Sequence, residues 1–282
     1  MCPVCGELIS AGQASYHLLC KNCKYEKSRF KPAINSIEAH KRVDEILREK
    51  ALCELRQRNF RALVNKLKEL QANKRARLLD VGAGHGWFLD AASRDFDVMG
   101  VEPDERVFAA AKSQGRSIRF GYFPEALFED EKFNIIVFND VIEHVSDIKM
   151  VLAACHDRLN TGGLLLLNLP SSRGIFYRVA KFLHRMGFKL YFDRLWQRDM
   201  PSPHIHYFNS DNLNRIVSRF GFAEICRGSL PSLRFKGLFT RISYVGSYNF
   251  VTSCALYCII VVMLPFLKLF PSDIIYSIYK KK

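Results

Sequence analysis

Acid is scarce in this 282-residue chain. Only 28 Asp and Glu stand against 42 Lys and Arg, a formal net charge of +14 with a pI of about 9.4. Such an excess favours an anionic partner: a membrane surface, nucleic acid or a phosphorylated substrate. A solvated basic surface is the plain alternative. Charge of either sign is missing from residues 242–267, and residues 250–264 are nearly all apolar. Gly and Pro are missing from residues 36–74, which favours helix over loop there. No apolar leader follows Met1, because Cys2-Pro3-Val4-Cys5 comes at once, so no signal peptide is expected. Hydrophobic residues at 49% are ample for a core, and the length allows one large domain with an appendage, or two domains.

Nine cysteines are present, and two pairs of them are spaced as CxxC. Cys2 and Cys5 precede Gly6; Cys20 and Cys23 follow after 14 intervening residues. Two such knuckles can place four thiolates tetrahedrally around zinc, and Gly6 frees backbone amides to turn toward sulfur. All four positions would be filled by protein, so the metal would be structural. A redox pair is the alternative, but no thioredoxin-like unit surrounds it. Residues 1–30 are therefore expected to form a zinc ribbon held by Cys2, Cys5, Cys20 and Cys23, in a reducing compartment.

Residues 31–75 follow as a polar, helical region. Val43, Leu47, Ala51 and Leu55 recur at helical spacing, as do Phe60, Leu63, Leu67 and Leu70, with Lys and Arg between them. One or two amphipathic helices are expected to dock on a sheet or cap its pocket. A basic helix of this kind could also touch a membrane.

In residues 76–92, Leu78-Leu79-Asp80-Val81 runs into Gly82, Gly84 and Gly86, and a helix-like run begins at Trp87. Glycines let the backbone turn sharply and let a ligand approach its amides. No Gly-Lys-Ser/Thr follows, which excludes a P-loop. A second strand ends at Glu102, 18 residues past Gly84, where a carboxylate can accept from ribose hydroxyls. Residues 133–138 are apolar but for Asn134, as in a strand covered on both faces. After a helical stretch, Asn160-Thr161-Gly162-Gly163 leads into strand 164–169. This alternation predicts an α/β fold with a doubly wound, Rossmann-like, seven-stranded and mostly parallel sheet.

The ordered set LLDVGAGHG, VMGVEPD, FNIIVFNDVIEHV and RLNTGGLLLLNLP resembles the class I S-adenosylmethionine (SAM)-dependent methyltransferases. It is close to the branch that holds the ubiquinone-biosynthesis O-methyltransferases and many sugar and lipid methyltransferases. The resemblance covers about residues 75–221. A NAD-binding domain is the rival, disfavoured by the G-x-G-x-G pattern with its leading Asp. The resemblance implies SAM as cofactor, with Asp80 orienting the loop or the methionine amino group. It further implies Gly82 and Gly84 beneath the methionine part, Glu102 on the ribose, and Asn139 facing the cofactor. Phe123, in the loop after the third strand, would stack on adenine or simply be core. Similar zinc ribbons precede some sugar methyltransferases, and others precede some ribosomal RNA methyltransferases.

In the resembling branch, an acidic residue followed three positions on by Glu-His is implicated in divalent-metal binding. Here Asp140, Glu143 and His144 match it and could hold Mg²⁺ near a substrate hydroxyl. His144 is otherwise a general base or a residue that fixes its loop. Residues 171–200 are basic and aromatic, and in the family this insert shapes the acceptor pocket. Pro203–Ser210 is similar to the family's Pro-Glu-His-aromatic-Phe-Ser segment, with Asn209 or Ser210 capping the next helix. His204 and His206 would share one face of an extended segment; His206 and His144 rank first as catalytic candidates.

Residues 242–268 are long enough for a membrane span. Yet residues 272–279 read as the family's last strand, paired with strand six at 223–227. Both ends of the apolar run would then lie on one side of a membrane, as in a monotopic or re-entrant element bent at Pro265. A helix buried in a dimer interface is the alternative. The whole of 76–282 is thus expected to be a methyltransferase domain at the cytoplasmic side of a membrane. It would act on a small-molecule or lipid-linked acceptor, with O-methylation favoured. An RNA methyltransferase and a non-catalytic SAM-binding scaffold are the alternatives.

Overall fold

The computed structural model describes residues 1–35, 45–71, 73, 75–234, 237–239, 242, 249–267 and 269–282. Val43 and most of the lead-in to the apolar run, 243–248, lie outside the described residues, as do the side chains of Leu47 and Ala51.

Three short antiparallel strands open the chain: β1 (Ser10–Ala11), β2 (His17–Leu19) and β3 (Glu26–Ser28). The two CxxC turns build alike. Gly6 N–H donates to the Cys2 carbonyl at 3.0 Å, and Lys24 N–H donates to the Cys20 carbonyl at 3.0 Å. Each turn ends in a left-handed residue, Gly6 at φ 83° and Lys24 at φ 59°. A single helix follows, α1 (Glu45–Leu70). Its Phe60, Leu63, Val64 and Leu67 are buried at the spacing read from the sequence.

The rest alternates as expected. In order come β4 (Arg77–Val81), α2 (Trp87–Ala92), β5 (Asp97–Glu102), α3 (Glu105–Ser113), β6 (Ile118–Phe120) and β7 (Phe133–Asn139). A 3₁₀ turn (Ile142–His144), α4 (Ile148–Arg158) and β8 (Leu159–Pro170) complete the parallel half. Then come α5 (Ile175–Arg185), α6 (Leu190–Leu195), β9 (His206–Tyr207), α7 (Ser210–Val217), β10 (Phe222–Leu230), α8 (Phe250–Leu267) and β11 (Ile274–Lys281). The main sheet has the order β10-β11-β8-β7-β4-β5-β6, with β10 and β11 antiparallel to their neighbours.

Alternate residues of the central strands sort into two apolar layers. Leu79, Ile136, Phe138, Leu165 and Leu167 face one side, together with α4 and α7. Leu78, Ile135, Val137, Leu164 and Leu166 face the other, where α1 and α2 cover them. The ribbon's Cys2, Val4, Cys20 and Tyr25 belong to the first layer. β3 also pairs with β9, so the ribbon's strands and β9 form one four-stranded sheet. That pairing was not foreseen, because two residues of β9 carry no strand signal of their own.

Strand six runs longer than read, 222–230, and the last strand keeps the expected length but lies two residues further on, at 274–281, in register with it. Leu230 and Ile274 are register partners, and Ile274 is level with Pro170 at the end of β8. The segment between β10 and β11 therefore leaves and re-enters the sheet at one place. Within it, α8 is long and apolar enough to cross a membrane, and nearly all of its surface is exposed.

Leu67 is fully buried against the α2 side of the sheet. Leu67→Ala should cost about 2–5 kcal/mol of unfolding free energy. Urea denaturation checks it, and a loss below about 1 kcal/mol would mean that α1 is not part of this core.

Candidate functional site

β4, β5, β7 and β8 are parallel, so their C-terminal ends fall on one edge. Open α/β sheets place ligands at that edge. Buried strands leave polar side chains room only there. Asp80, Asn139 and Asn168 form a chain across three strand ends. Asn139 Nδ2 donates to Asp80 Oδ1 at 3.3 Å, and Asn168 Nδ2 donates to Asn139 Oδ1 at 3.5 Å. Asn168 Oδ1 is buried without a hydrogen-bond partner among the described residues. Burial pushes the Asp80 carboxyl up to about 8, the Glu102 charge adding to this against the Asn139 bond.

Glu102 ties the glycine loop to the second strand. Gly84 N–H donates to its Oε2 at 2.8 Å, and Asp104 N–H donates to Oε1 at 2.9 Å. Gly82 and Gly84 are both left-handed, at φ 67° and 55°. A Cβ on Gly82 would stand 2.6 Å from Val141 Cγ2, so glycine is obligatory there. A Cβ on Gly84 would meet nothing within 4 Å: its backbone borders open space, where a ligand can approach. The buried carboxyl, the bare glycine loop and the second-strand acid suit a cationic, ribose-bearing cofactor such as SAM. Phe123 is buried edge-on against Phe138 at 5.9 Å and belongs to the core cluster. The exposed apolar ring near Glu102 is instead Phe120, 5.5 Å from Phe108, and neither was singled out.

A second cluster lies beside the loop after β7. The carboxylate of Glu143 is buried, with Oε1 4.0 Å from Nε2 of both His144 and His204. Its Oε2 has no hydrogen-bond partner among the described residues. Burial holds the Glu143 carboxyl well above the usual range, and the Asp140 charge adds to that. His144 Nδ1 faces the Pro203 carbonyl at 3.0 Å, so Nδ1 carries the hydrogen and a neutral ring keeps Nε2 as base. The group that could hold a metal is therefore Glu143, His144 and His204. Asp140, expected in that trio, sits at φ 54° and turns to Arg56 Nη2 at 3.2 Å. The arrangement offers Mg²⁺ no support from Asp140.

His206 is placed elsewhere. Its Nε2 faces the Val145 carbonyl at 2.8 Å and its Nδ1 takes a short bond from Tyr25 Oη, so neither nitrogen points at the strand edge. Burial pushes the ring down to about 4, which keeps it neutral. His204 and His206 are two residues apart but do not meet at one site, because His204 lies beside Glu143 while His206 is held by Tyr25 and the Val145 carbonyl.

The ribbon meets this half of the site directly. Ser28 Oγ donates to the His204 carbonyl at 2.7 Å and Ser28 N–H to Ile205 at 2.9 Å, while Ile205 N–H reaches the Glu143 carbonyl at 2.7 Å. Glu26 is buried among His17 Nε2 at 2.6 Å, Lys181 Nζ at 2.6 Å and Tyr177 Oη at 2.8 Å. Burial would raise its pKa, but His17 and Lys181 outweigh that and hold it low. The four cysteine sulfurs lie within 4.8 Å of one another, with Cys2–Cys23 and Cys5–Cys20 at 3.5 Å. All four are free thiols, and such spacing is near the edge of a tetrahedral thiolate site. Burial raises the Cys2 thiol, while Cys5 is drawn down to about 7 as the Glu7 amide and its neighbouring thiols outweigh burial.

Arg56, Asn168 and His204 were passed over or ranked low. Asn168 was findable as the polar residue ending an apolar strand, level with Asn139. Arg56 was not, since only the docking of α1 brings it to Asp140.

Fold and strand-edge geometry together define a Rossmann-like methyltransferase class. A family model described as a methyltransferase domain matches residues 48–226, more than half of the chain, and the chain belongs to that family. Similar curated proteins include a ubiquinone biosynthesis O-methyltransferase of Sinorhizobium medicae, 31% identical over 98 residues, covering 32% of this chain and 40% of that protein. One of Bradyrhizobium diazoefficiens is 32% identical over 124 residues, covering 42% and 46%. The chain thus spans less than half the length of these relatives. Similar solved structures include a SAM-dependent methyltransferase and possible histamine N-methyltransferase of Thermotoga maritima. It is 16% identical with a TM-score of 0.56, covering 87% of this chain and 100% of that one. Magnesium protoporphyrin IX methyltransferase of Synechocystis, solved with bound SAH, is 12% identical with a TM-score of 0.54, covering 86% and 89%. At these identities the structures attest the fold alone.

A carboxyl whose folded pKa is raised contributes most stability below its ordinary value of 3.8, and that contribution is lost as pH rises toward about 8. Asp80→Asn should flatten this fall in the ligand-free protein. Urea midpoints from pH 4 to 8 are the check; a wild-type-to-variant difference that stays constant across that range would sink the assignment.

Proposed function

We propose that the protein is a SAM-dependent methyltransferase that moves a methyl group to a hydroxyl oxygen of a small-molecule or lipid-linked acceptor. The observation that carries this reading is the pairing of two sites on one strand edge. One is the Asp80–Gly82–Gly84–Glu102 loop; the other is the Glu143–His144–His204 cluster. SAM, when bound, supplies a methyl group activated by the sulfonium. Gly82 and Gly84 give it close backbone approach, and Glu102 is the acid for its ribose. Asp80, with Asn139, would meet the methionine amino group, and the positive charge would favour ionised Asp80. His144 Nε2 would take the acceptor's proton as its oxygen gains the methyl group and the sulfonium's C–S bond breaks, with buried Glu143 beside the ring to orient it. Both substrates held in line supply most of the acceleration. Oxygen as the methylated atom is favoured by the names of the curated relatives.

The four cysteines would hold a structural zinc, which closes the ribbon and leaves no open coordination position. The apolar helix α8 supports attachment to a membrane from one side. Both of its connections return to the strand edge that carries the site. Next to that return, α5, α6 and the turn between them expose Phe182, Met186, Phe188, Leu190 and Tyr191 among Arg and Lys, as an interfacial surface does. An acceptor drawn from the lipid phase fits this placement.

Incubation with methyl-labelled SAM and fractionated membrane lipids tests the reading. Label should appear in a lipid fraction as a base-stable ether, and SAM binding with no transfer to any fraction would reduce the protein to a binding scaffold. Cys20→Ser should lower bound zinc from one per chain toward none and weaken folding; unchanged zinc content would exclude this cysteine as a ligand.

A further inference from the structure

Residues 26–32 alternate as they leave the ribbon. Glu26 and Ser28 are buried and Phe30 is half-buried, stacked on Tyr16 at 4.5 Å between ring centres. Lys27, Arg29 and Lys31 fall on the other side, and the last two are exposed. At alternate positions their stems repeat roughly every 6–7 Å along one face. None of the three pairs with a carboxylate among the described residues. They border a groove of about 480 Å³ whose remaining wall includes Pro32, Ser146 and Ile205, and no acidic side chain among the described residues lines it. The nearby Asp147 is engaged elsewhere, its Oδ1 accepting from Lys149 and Met150 amides at 3.1 Å to cap α4.

The groove adjoins the proton-handling cluster. Ile205 follows His204, Ser146 lies two residues past His144, and Ser28 bonds the His204 carbonyl. A row of cations that starts on β3 and continues past its end, open to solvent and without a carboxylate partner among the described residues, is suited to a polyanion with charges several ångströms apart. Lys and Arg together bind phosphate by charge-assisted hydrogen bonds, and Ser146 adds a hydroxyl donor.

We propose that this groove is the subsite for a phosphate or diphosphate group carried by the acceptor. The ribbon thereby supplies substrate contacts as well as a brace. This rests on the reading of Glu143, His144 and His204 as the acceptor end of the site. It narrows the acceptor from a hydroxyl-bearing lipid to one whose headgroup is phosphorylated.

The test uses the full zinc-loaded chain in detergent and titrates geranyl diphosphate, geraniol and inorganic pyrophosphate by calorimetry. The comparison protein is the triple variant Lys27→Gln, Arg29→Gln, Lys31→Gln. Geranyl diphosphate should bind the wild type and lose about tenfold or more in affinity in the variant. Pyrophosphate should compete with it, while geraniol and SAM should bind both proteins alike. Equal diphosphate affinity in the two proteins overturns the proposal. So does a variant that loses only its hold on phosphatidylglycerol vesicles, or only on a single-stranded RNA, because the cations would then serve a bilayer or nucleic acid. Should the triple variant lose zinc, Lys31→Glu alone, at the exposed end of the row, carries the same comparison. If diphosphate binding follows the three cations yet no hydroxyl lipid is methylated, the groove stands and the catalytic reading falls. Methylation with indifferent diphosphate binding gives the reverse.

Discussion

Buried parallel strands have apolar side chains on both faces, so their polar groups must gather where the strands end. Asp80, Glu102, Asn139 and Asn168 all stand at that edge. There one side-chain hydrogen bond joins the glycine loop to the second strand, from Gly84 N–H to the Glu102 carboxylate. It fixes the glycine loop against the neighbouring strand. A loop already held in its left-handed turns has less entropy to lose when a ligand settles on its amides.

The other half of the edge is built by a different part of the chain. The loop after β7, with its short 3₁₀ turn, and residues 203–208, with the two-residue β9, approach each other, but neither element is long enough to hold the pair. The ribbon supplies it: β3 extends into a shared sheet with β9, and Ser28 bonds back to residues 204 and 205. Glu26, buried with His17, Lys181 and Tyr177, locks the ribbon to α5. A small metal-closed module has little apolar core of its own. Here its sulfurs and Tyr25 sit within the larger domain's apolar layer, so each stabilises the other. Zinc bound at the cysteines would thus bear on the acceptor half, some way from any methyl group.

The insert between β10 and β11 obeys a similar constraint. Adjacent antiparallel strands must meet at a common end, whatever length of chain separates them. An apolar helix placed there has both connections on one side of the molecule, beside the strand edge with the site. The polar strand edge, the exposed apolar helix and the basic aromatic α5–α6 elbow are thereby brought together.

The order and type of most elements could be read directly. β7 and β8 each carry an apolar run, 135–138 and 164–167, the glycines mark the turn after β4, and α1 shows its buried face at helical spacing. The same local signals located Asp80, Glu102 and the four cysteines, because glycine turns, strand ends and CxxC spacing act within a few residues. What the sequence could not decide was which distant groups meet. His206 and His204 looked equivalent two residues apart. The docking of β3 gave one to Tyr25 and Val145 and left the other beside Glu143. Asp140 looked like a ligand until α1 brought Arg56 to it. Partner choice between segments far apart in the chain is set by packing, which local periodicity does not encode.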